Sequence, residues 1–352
     1  MAKIKILAGD QNNLRKKRDE GIEDADKLRQ FTALKDQCFL IDKTSLMPNT
    51  SIGFNLLKQD GMEIKTIAKA DANNPFVITE DFLKRHYKSG YEILIEKASI
   101  PAYKDYLNSM VNHVDCSDRN RSNMIVFKEK TKIVIKELLD NPRSGEKMKE
   151  AKKAVGTIIE LLLDNKASLC TMLSLSRYDY YTYTHCLNVA TLSIGLGIEL
   201  KMGKDEMSIL GTGAMMHDIG KSEIPSELLN KQGRLDPMEY LLMQEHVRIG
   251  AEILHNSVEF PADGMPAVLQ HHEKLNGKGY PRAERGEAIK LFGRICAIAD
   301  CYDALTTIRS YKDAFIPFEA LKIITEQTEA YDKSLLKHFV VMLGRQAESL
   351  CP

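Results

Sequence analysis

The 352-residue sequence predicts an α+β protein in which a small N-terminal α/β module precedes an all-α domain. Short β-prone segments fall between residues 38 and 97, whereas amphipathic helical patterns dominate from residue 118 onward. A chain of this length has room for two ordinary domains. We therefore predict one module over residues 1–117 and an all-α domain over residues 118–352, with linking helices over residues 118–165.

The N-terminal module is predicted from four β-prone segments. They are CFLI, MEIKTIAKA, FVIT and YEILIEK, which begin at residues 38, 62, 76 and 91. The turn-forming stretches PNTS and DANNP and a helix ending at Gly90 separate them. The charge-dense first 36 residues indicate an arm or a surface helix. The module has no cluster of metal-ligand residues and no glycine-rich phosphate loop, which favours regulation or dimerisation over a second active site.

The all-α prediction begins at VFKEKTKIVIKELLD, in which Val126, Ile133 and Leu138 share one stripe of a helix. NPRSG then interrupts the pattern, and EKMKEAKKAVGTIIELLLDN forms a second amphipathic helix. The remaining sequence is typical of helices joined by short loops.

The composition excludes several classes of partner. Lys plus Arg and Asp plus Glu both total 49, so no overall basic field attracts a nucleic acid polymer or an anionic membrane. Seven scattered cysteines without a CxxC pair are typical of reduced cytosolic thiols. The N-terminus lacks the apolar run of a secretory signal, and the apolar stretches near residues 167–176 and 186–198 are too short for a bilayer. We expect a soluble, cytoplasmic protein.

Histidines and aspartates in the C-terminal half indicate a metal site. Five histidines lie in the segments THCLNVA, MMHDIGK, EHVRIGAEIL and QHHEKLNGKGYP, and IADCYDALTTIRSYK adds two aspartates. Imidazole and carboxylate ligands suit iron, manganese and zinc, and the absence of thiolates argues against a structural zinc site. His185 alone would be interpreted as a core residue. The His217-Asp218 pair is more specific, because it follows the apolar run GAMM, where an unpaired carboxylate is costly to bury.

Two further features accompany these ligands. Lys221 follows Asp218 by three residues, so a continuing helix places its ammonium on the same side, as a phosphate contact or as a solvated helix-end lysine. Gly277 and Gly279 allow close backbone approach and Pro281 fixes a turn. A GxGYP segment this soon after a His-His pair is a strong signal.

The order of these motifs resembles the HD-GYP domain, a branch of the HD phosphohydrolases, over roughly residues 138–343. The matching positions are His185, His217-Asp218, Lys221, His246, His271-His272-Glu273, Gly279-Tyr280-Pro281, Asp300, Asp303 and Arg309. The resemblance implies a phosphodiesterase that opens cyclic di-GMP to pGpG, and to GMP on continued hydrolysis, through a metal-bridging hydroxide.

The resemblance also implies a role for each position. One divalent metal, iron or manganese, is held by His185, His217, Asp218 and Asp300. The other is held by His246, His271 and His272, with Asp218 bridging the two. Lys221 acts with Asp218 in catalysis and contacts the scissile phosphate. Substrate binding is assigned to Lys221, Tyr280, Arg309 and Lys312. Glu273 and Asp303 are assigned to positions that do not bind the metals but hold the metal ligands in place.

The chain departs from the family pattern at two places. Some relatives hold a third metal through a glutamate one turn before the first histidine, where this chain has Tyr181, so two metals are expected. Arg309-Ser310-Tyr311-Lys312 replaces the common Arg-Pro-Tyr-Lys, which predicts a less rigid loop.

Other functions remain open on sequence alone. The chain could be a non-catalytic cyclic dinucleotide sensor, or an HD hydrolase of another cyclic dinucleotide such as cyclic GMP-AMP. Residues 1–117 are expected to regulate the C-terminal domain within a homodimer and to receive an unknown ligand or protein.

Overall fold

The chain has two compact units, Met1–Tyr103 and Lys104–Pro352. A computed structural model describes residues 30–31, 33–86, 91–110, 119–164, 169, 172–173, 182–231, 233–307, 314–327 and 329–348. The predicted α+β class is confirmed, with small antiparallel sheets in the first unit and helices in the second. The predicted boundary at residue 117 lies outside the described residues and stays a prediction.

Strands in the first unit form two antiparallel sheets. The strands are β1 (Cys38–Ile41), β2 (Thr50–Ile52), β3 (Leu56–Asp60), β4 (Glu63–Ala68), β5 (Phe76–Ile78) and β6 (Glu92–Glu96). The larger sheet has the order β1-β6-β3-β4, and β2 pairs with β5. Helix α1 (Glu80–His86) lies between β5 and β6 in the chain, and helix α2 (Ile100–Met110) follows β6.

Four strands lie within the predicted β-prone segments, but β2 and β3 were not predicted. The sequence LLKQD of β3 contains no β-branched residue, so its local pattern gave no signal. Leu57 instead pairs with Leu94 on one side and with Thr66 on the other, which makes β3 an interior strand. Pairing with its neighbours, rather than intrinsic propensity, therefore determines this strand.

The second unit is helical in its described part. Its helices are α3 (Arg119–Asp140), α4 (Gly145–Asp164), α5 (Thr182–Glu199), α6 (Lys204–Met216), α7 (Ser226–Leu229), α8 (Pro237–His255), α9 (Met265–Gln270), α10 (Leu291–Thr306), α11 (Pro317–Glu326) and α12 (Lys333–Glu348). The predicted break at NPRSG falls between α3 and α4.

Helix α5 is the central helix of this unit, because every residue from Tyr183 to Gly197 is buried. It packs closely on α6: a Cβ added to Gly211 would lie 2.7 Å from Cδ1 of Ile194. Polar side chains that α5 carries near its N-terminus are therefore shielded from water. Among the described residues, no helix has the combined length and apolarity needed to cross a membrane.

Candidate metal centre

His185 enters the site from the first turn of α5. Its Nδ1 lies 2.7 Å from Oδ2 of Asp303, and the side-chain amide of Asn188 donates to the other oxygen of Asp303 at 2.8 Å. Nε2 of His185 then lies 3.1 Å from Oδ1 of Asp300 and 3.7 Å from Oδ2 of Asp218. Asp303 thus orients the imidazole from behind and turns its second nitrogen toward the other carboxylates.

Asp218 lies at the middle of the cluster, just after the end of α6. Its Oδ2 is 3.4 Å from Nε2 of His217, whereas its Oδ1 is 3.3 Å from Nε2 of His246 and 3.9 Å from Nε2 of His271. The two oxygens of one buried carboxylate therefore face different imidazoles.

Three of the histidines share the same backbone contact. Each places Nδ1 against a carbonyl oxygen three residues earlier, and the pairs are His217 with Ala214 (2.7 Å), His246 with Met243 (2.6 Å) and His271 with Val268 (2.8 Å). A carbonyl only accepts, so Nδ1 carries the hydrogen and Nε2 keeps its lone pair. All three lone pairs can therefore serve as metal ligands.

His272 and Asp300 form the more open side of the cluster. Nδ1 of His272 lies 3.6 Å from Oδ2 of Asp300, and their side chains are 24% and 14% exposed, whereas that of Asp218 is 1% exposed. Substrate access is therefore expected from this side.

The residues fit a pair of divalent cations. Nε2 of His217 and Oδ1 of Asp218 are buried without a hydrogen-bond partner, and such an atom costs about 1–3 kcal/mol when nothing compensates. Within the described part of the chain, two groups have ligand atoms close enough to hold an ion. One is His185, His217 and Asp218, the other is Asp218, His246, His271 and His272, and Asp218 is common to both.

At pH 7 Asp218 is ionised and two of the histidines are neutral, as cation binding requires, whereas His185 is protonated in the absence of a metal. Burial opposes ionisation of Asp218, but the positive charge of Lys221 and the interactions with His217 and His246 together outweigh it and hold the pKa of the carboxyl well below its usual range. Burial lowers the pKa of His246 to about 4 and that of His272 to about 3, so both are neutral at pH 7. Burial also opposes protonation of His185, but Asp300 and Asp303 raise its pKa to about 9.

Lys221 reaches Asp218 by a different backbone path from the predicted continuing helix. Helix α6 ends at Met216, and a 3-10 turn, Ile219–Glu223, carries the lysine. Its Nζ donates to Oδ2 of Asp218 at 2.6 Å. The turn lies directly against α8, because a Cβ on Gly220 would be 2.0 Å from the carbonyl oxygen of His246.

The GKGYP segment places an aromatic ring on the cluster. The carboxylate of Glu273 accepts from the backbone N–H of Arg282 at 2.7 Å and of Glu284 at 3.0 Å. The N–H of Tyr280 donates to the carbonyl of His272 at 3.2 Å. These bonds set the ring of Tyr280 4.6 Å from that of His272. Glu273 thus stabilises the loop that contains GKGYP through hydrogen bonds to its backbone, whereas Asp303 orients His185.

The structure brings together all the sequence-predicted ligand residues, with Lys221 and Tyr280 beside them. Tyr181, Arg309 and Lys312 lie outside the described residues. Sequence reasoning missed Asn188, although it follows His185 on the same helix by three residues and so lies on the same face.

Comparisons with known proteins give a family, two relatives and a fold. A family model described as HD domain matches residues 157–335. A cyclic di-GMP phosphodiesterase of Pseudomonas aeruginosa is 30% identical over 217 residues, which are 61% of this chain and 52% of that protein. A 3'3'-cGAMP-specific phosphodiesterase of Vibrio cholerae is 39% identical over 133 residues, which are 38% of this chain and 26% of that protein. The matched region therefore covers about half the length of the Pseudomonas aeruginosa protein and about a quarter of the length of the Vibrio cholerae protein.

A solved structure has the same fold. The HDG"Y"P protein from Bdellovibrio bacteriovorus superposes with a TM-score of 0.66 at 21% identity, covering 87% of this chain and 99% of that one. The similarity extends beyond the residues of the family model.

Proposed function

Since the chain belongs to the HD-domain family, in its HD-GYP branch, we propose that it is a metal-dependent phosphodiesterase that hydrolyses cyclic di-GMP. The products are linear pGpG and, on continued hydrolysis, GMP. The observation that carries the proposal is the Asp218 carboxylate, whose two oxygens face separate groups of imidazoles. This arrangement suits the bridging ligand of a two-metal hydrolase.

Two cations, iron or manganese, would be held by the proposed ligands. The first would bind His185, His217, Asp218 and Asp300, and the second His246, His271, His272 and Asp218. When bound, they would act as a Lewis acid toward the phosphate and would lower the pKa of a water molecule, so that it can lose a proton and attack at neutral pH.

The chain's own residues bind and orient the substrate. Nζ of Lys221 lies 2.6 Å from Oδ2 of Asp218, which places its ammonium next to the position proposed for the phosphate that is cleaved. Asp303 fixes the orientation of His185, and Tyr280 covers His272 on the open side. By resemblance, Arg309 and Lys312 grip the substrate's phosphates.

Cyclic GMP-AMP is a second candidate substrate, favoured by the similarity to the Vibrio cholerae phosphodiesterase. A non-catalytic sensor is the alternative of a different class. A sensor has no need for two groups of metal ligands, so the two groups of potential ligands support turnover rather than sensing.

Product analysis tests these alternatives. The protein is purified without oxygen, its metals are quantified, and cyclic di-GMP and 3'3'-cGAMP are incubated with it in separate reactions. We expect pGpG from cyclic di-GMP at a higher kcat/KM than that for 3'3'-cGAMP. The reverse preference would assign the second substrate, and tight binding of either nucleotide by metal-loaded protein without any product would establish a sensor.

A further inference from the structure

A second tyrosine, Tyr240, lies beyond Tyr280 on the side of His272. The rings of His272 and Tyr280 are 4.6 Å apart and tilted by 31°. The rings of Tyr280 and Tyr240 are 6.1 Å apart and nearly perpendicular, at 79°. Tyr280 therefore contacts both His272, a proposed metal ligand, and Tyr240.

Tyr240 is held on a rigid element. It lies near the start of α8, the helix that also carries His246. That start is fixed by a reciprocal cap, in which Asp236 accepts from the N–H groups of Met238 and Glu239 at 2.9 Å, and Glu239 accepts from the N–H of Asp236 at 2.8 Å. The ring thus has a defined position relative to the ligands.

The ring is nevertheless open to solvent. Tyr240 is 49% exposed. An exposed aromatic ring beside a polar site offers a flat surface on which a ligand can stack.

We propose that Tyr240 contacts the substrate directly and stacks on one of its purine bases. The inference rests on the proposed function, because it needs a phosphodiester held at Asp218 and Lys221. A dinucleotide bound there has to place its bases outside the buried cluster, and the exposed side leads past Tyr280 to Tyr240. An aromatic ring is the usual partner of a base that is not paired. Tyr240 therefore favours phosphodiesters that carry a base able to stack over phosphodiesters that carry none.

Three variants separate stacking from a structural role. Tyr240→Leu removes the aromatic ring but keeps an apolar side chain, whereas Tyr240→Phe keeps the ring. Leu241→Ala removes an exposed apolar side chain from the next position of the same helix and is the matched control. All are measured in the metal-loaded chain of 352 residues.

Binding is measured first, with a cyclic di-GMP analogue in which 2-aminopurine replaces one guanine, because stacking quenches its fluorescence. We expect Tyr240→Leu to raise the Kd between about 5-fold and about 100-fold and to lose most of the quenching. Tyr240→Phe and Leu241→Ala should stay within about twofold of the unmodified protein. An unchanged Kd and unchanged quenching in Tyr240→Leu would overturn the inference.

Turnover is measured second, with cyclic di-GMP and with methyl p-nitrophenyl phosphate, a phosphodiester without a base whose one aromatic ring is the leaving group. We expect Tyr240→Leu to raise the KM for cyclic di-GMP, with little change in kcat, in metal content or in hydrolysis of the simple phosphodiester. Equal losses on both compounds, or loss of metal, would show a structural role and overturn the inference.

The same measurements distinguish this inference from the proposed function. If the unmodified protein binds the analogue but hydrolyses no cyclic dinucleotide, the proposed function fails, and the Kd values still decide the role of Tyr240. If the unmodified protein does not bind the analogue, both fail.

Discussion

At the scale of the residue, Asp218 belongs to both groups of potential metal ligands. Its oxygens face His217 on one side and His246 on the other, and Lys221 binds it directly. We expect Asp218→Ala to lose most of both metals, because a bridging carboxylate serves each of them. Elemental analysis checks this, with Asp205→Ala, an exposed position on the preceding helix α6, as the control that keeps its metals. Two tightly held metals in Asp218→Ala would contradict the bridging role.

His185 gives the metal affinity a pH dependence. Its pKa, about 9 in the metal-free protein, exceeds the ordinary value of 6.5. Protonation of His185 therefore stabilises the folded, metal-free protein. This contribution is complete below pH 6.5 and is lost as the pH rises through 9. A metal has to displace that proton, so we expect metal affinity to rise over this interval and about one proton to be released at pH 7.

Calorimetry of metal binding in buffers of different ionisation enthalpy counts the released protons. Asp303→Asn removes a carboxylate that raises the pKa of His185, and should release fewer protons at pH 7. Binding of both metals with no proton release in the unmodified protein would disprove this account.

Lys221 and the basic loop residues are expected to have separable effects. Lys221→Ala should lower kcat more than it raises KM, because its ammonium lies beside the bridging carboxylate. Arg309→Ala or Lys312→Ala should raise KM by about 10-fold to 100-fold, because each loses a charged hydrogen bond that contributes about 1.5–3 kcal/mol to the free energy of substrate binding. Steady-state kinetics and metal analysis check this, with exposed Lys204→Ala as the control. Unchanged kinetics in all three variants would refute the phosphate contacts.

At the scale of the element, the contact between the 3-10 turn Ile219–Glu223 and α8 positions the two ligand groups. A Cβ on Gly220 would lie 2.0 Å from the carbonyl oxygen of His246 and 2.5 Å from the nitrogen of Gly250. We expect Gly220→Ala to move α8 away from Asp218, weaken metal binding and destabilise the fold by about 1–3 kcal/mol.

Thermal unfolding and elemental analysis test this contact. The matched control is Gly156→Ala in α4, where an added Cβ has nothing within 4 Å and should be neutral or slightly stabilising. Full metal content and unchanged stability in Gly220→Ala would show that the two elements can separate without consequence.

At the scale of the whole molecule, the two units are proposed to have separate functions, catalysis in one and regulation in the other. Both groups of potential metal ligands found among the described residues lie in the unit Lys104–Pro352. We propose that residues 1–117 regulate this unit within a homodimer and contribute no chemistry. Helix α3 (Arg119–Asp140) is continuous, and a continuous helix can transmit a rotation that a flexible linker cannot.

A shortened chain beginning near Arg119 tests the proposal. We expect it to keep its metals and some hydrolysis, with a changed rate or oligomeric state, as measured by elemental analysis, turnover and light scattering. Complete loss of metals from a folded, shortened chain would show instead that the N-terminal residues help to build the site.

The sequence by itself determined the α+β class, the helices around NPRSG and four of the six strands seen in the described residues. It also identified the histidines and aspartates that cluster, because each lies in a short recognisable segment. These features depend on residues close together in the chain, where periodicity and spacing are direct consequences of helix and strand geometry.

Only the tertiary structure decided which distant residues act together. Strand β3 depends on pairing with β4 and β6, and the bond from Asn188 to Asp303 joins α5 to α10. The approach of Gly220 to His246 and the contact of Tyr240 with Tyr280 likewise join separate segments. Chain spacing fixes geometry only within one element, so contacts between elements depend on how their buried surfaces pack together.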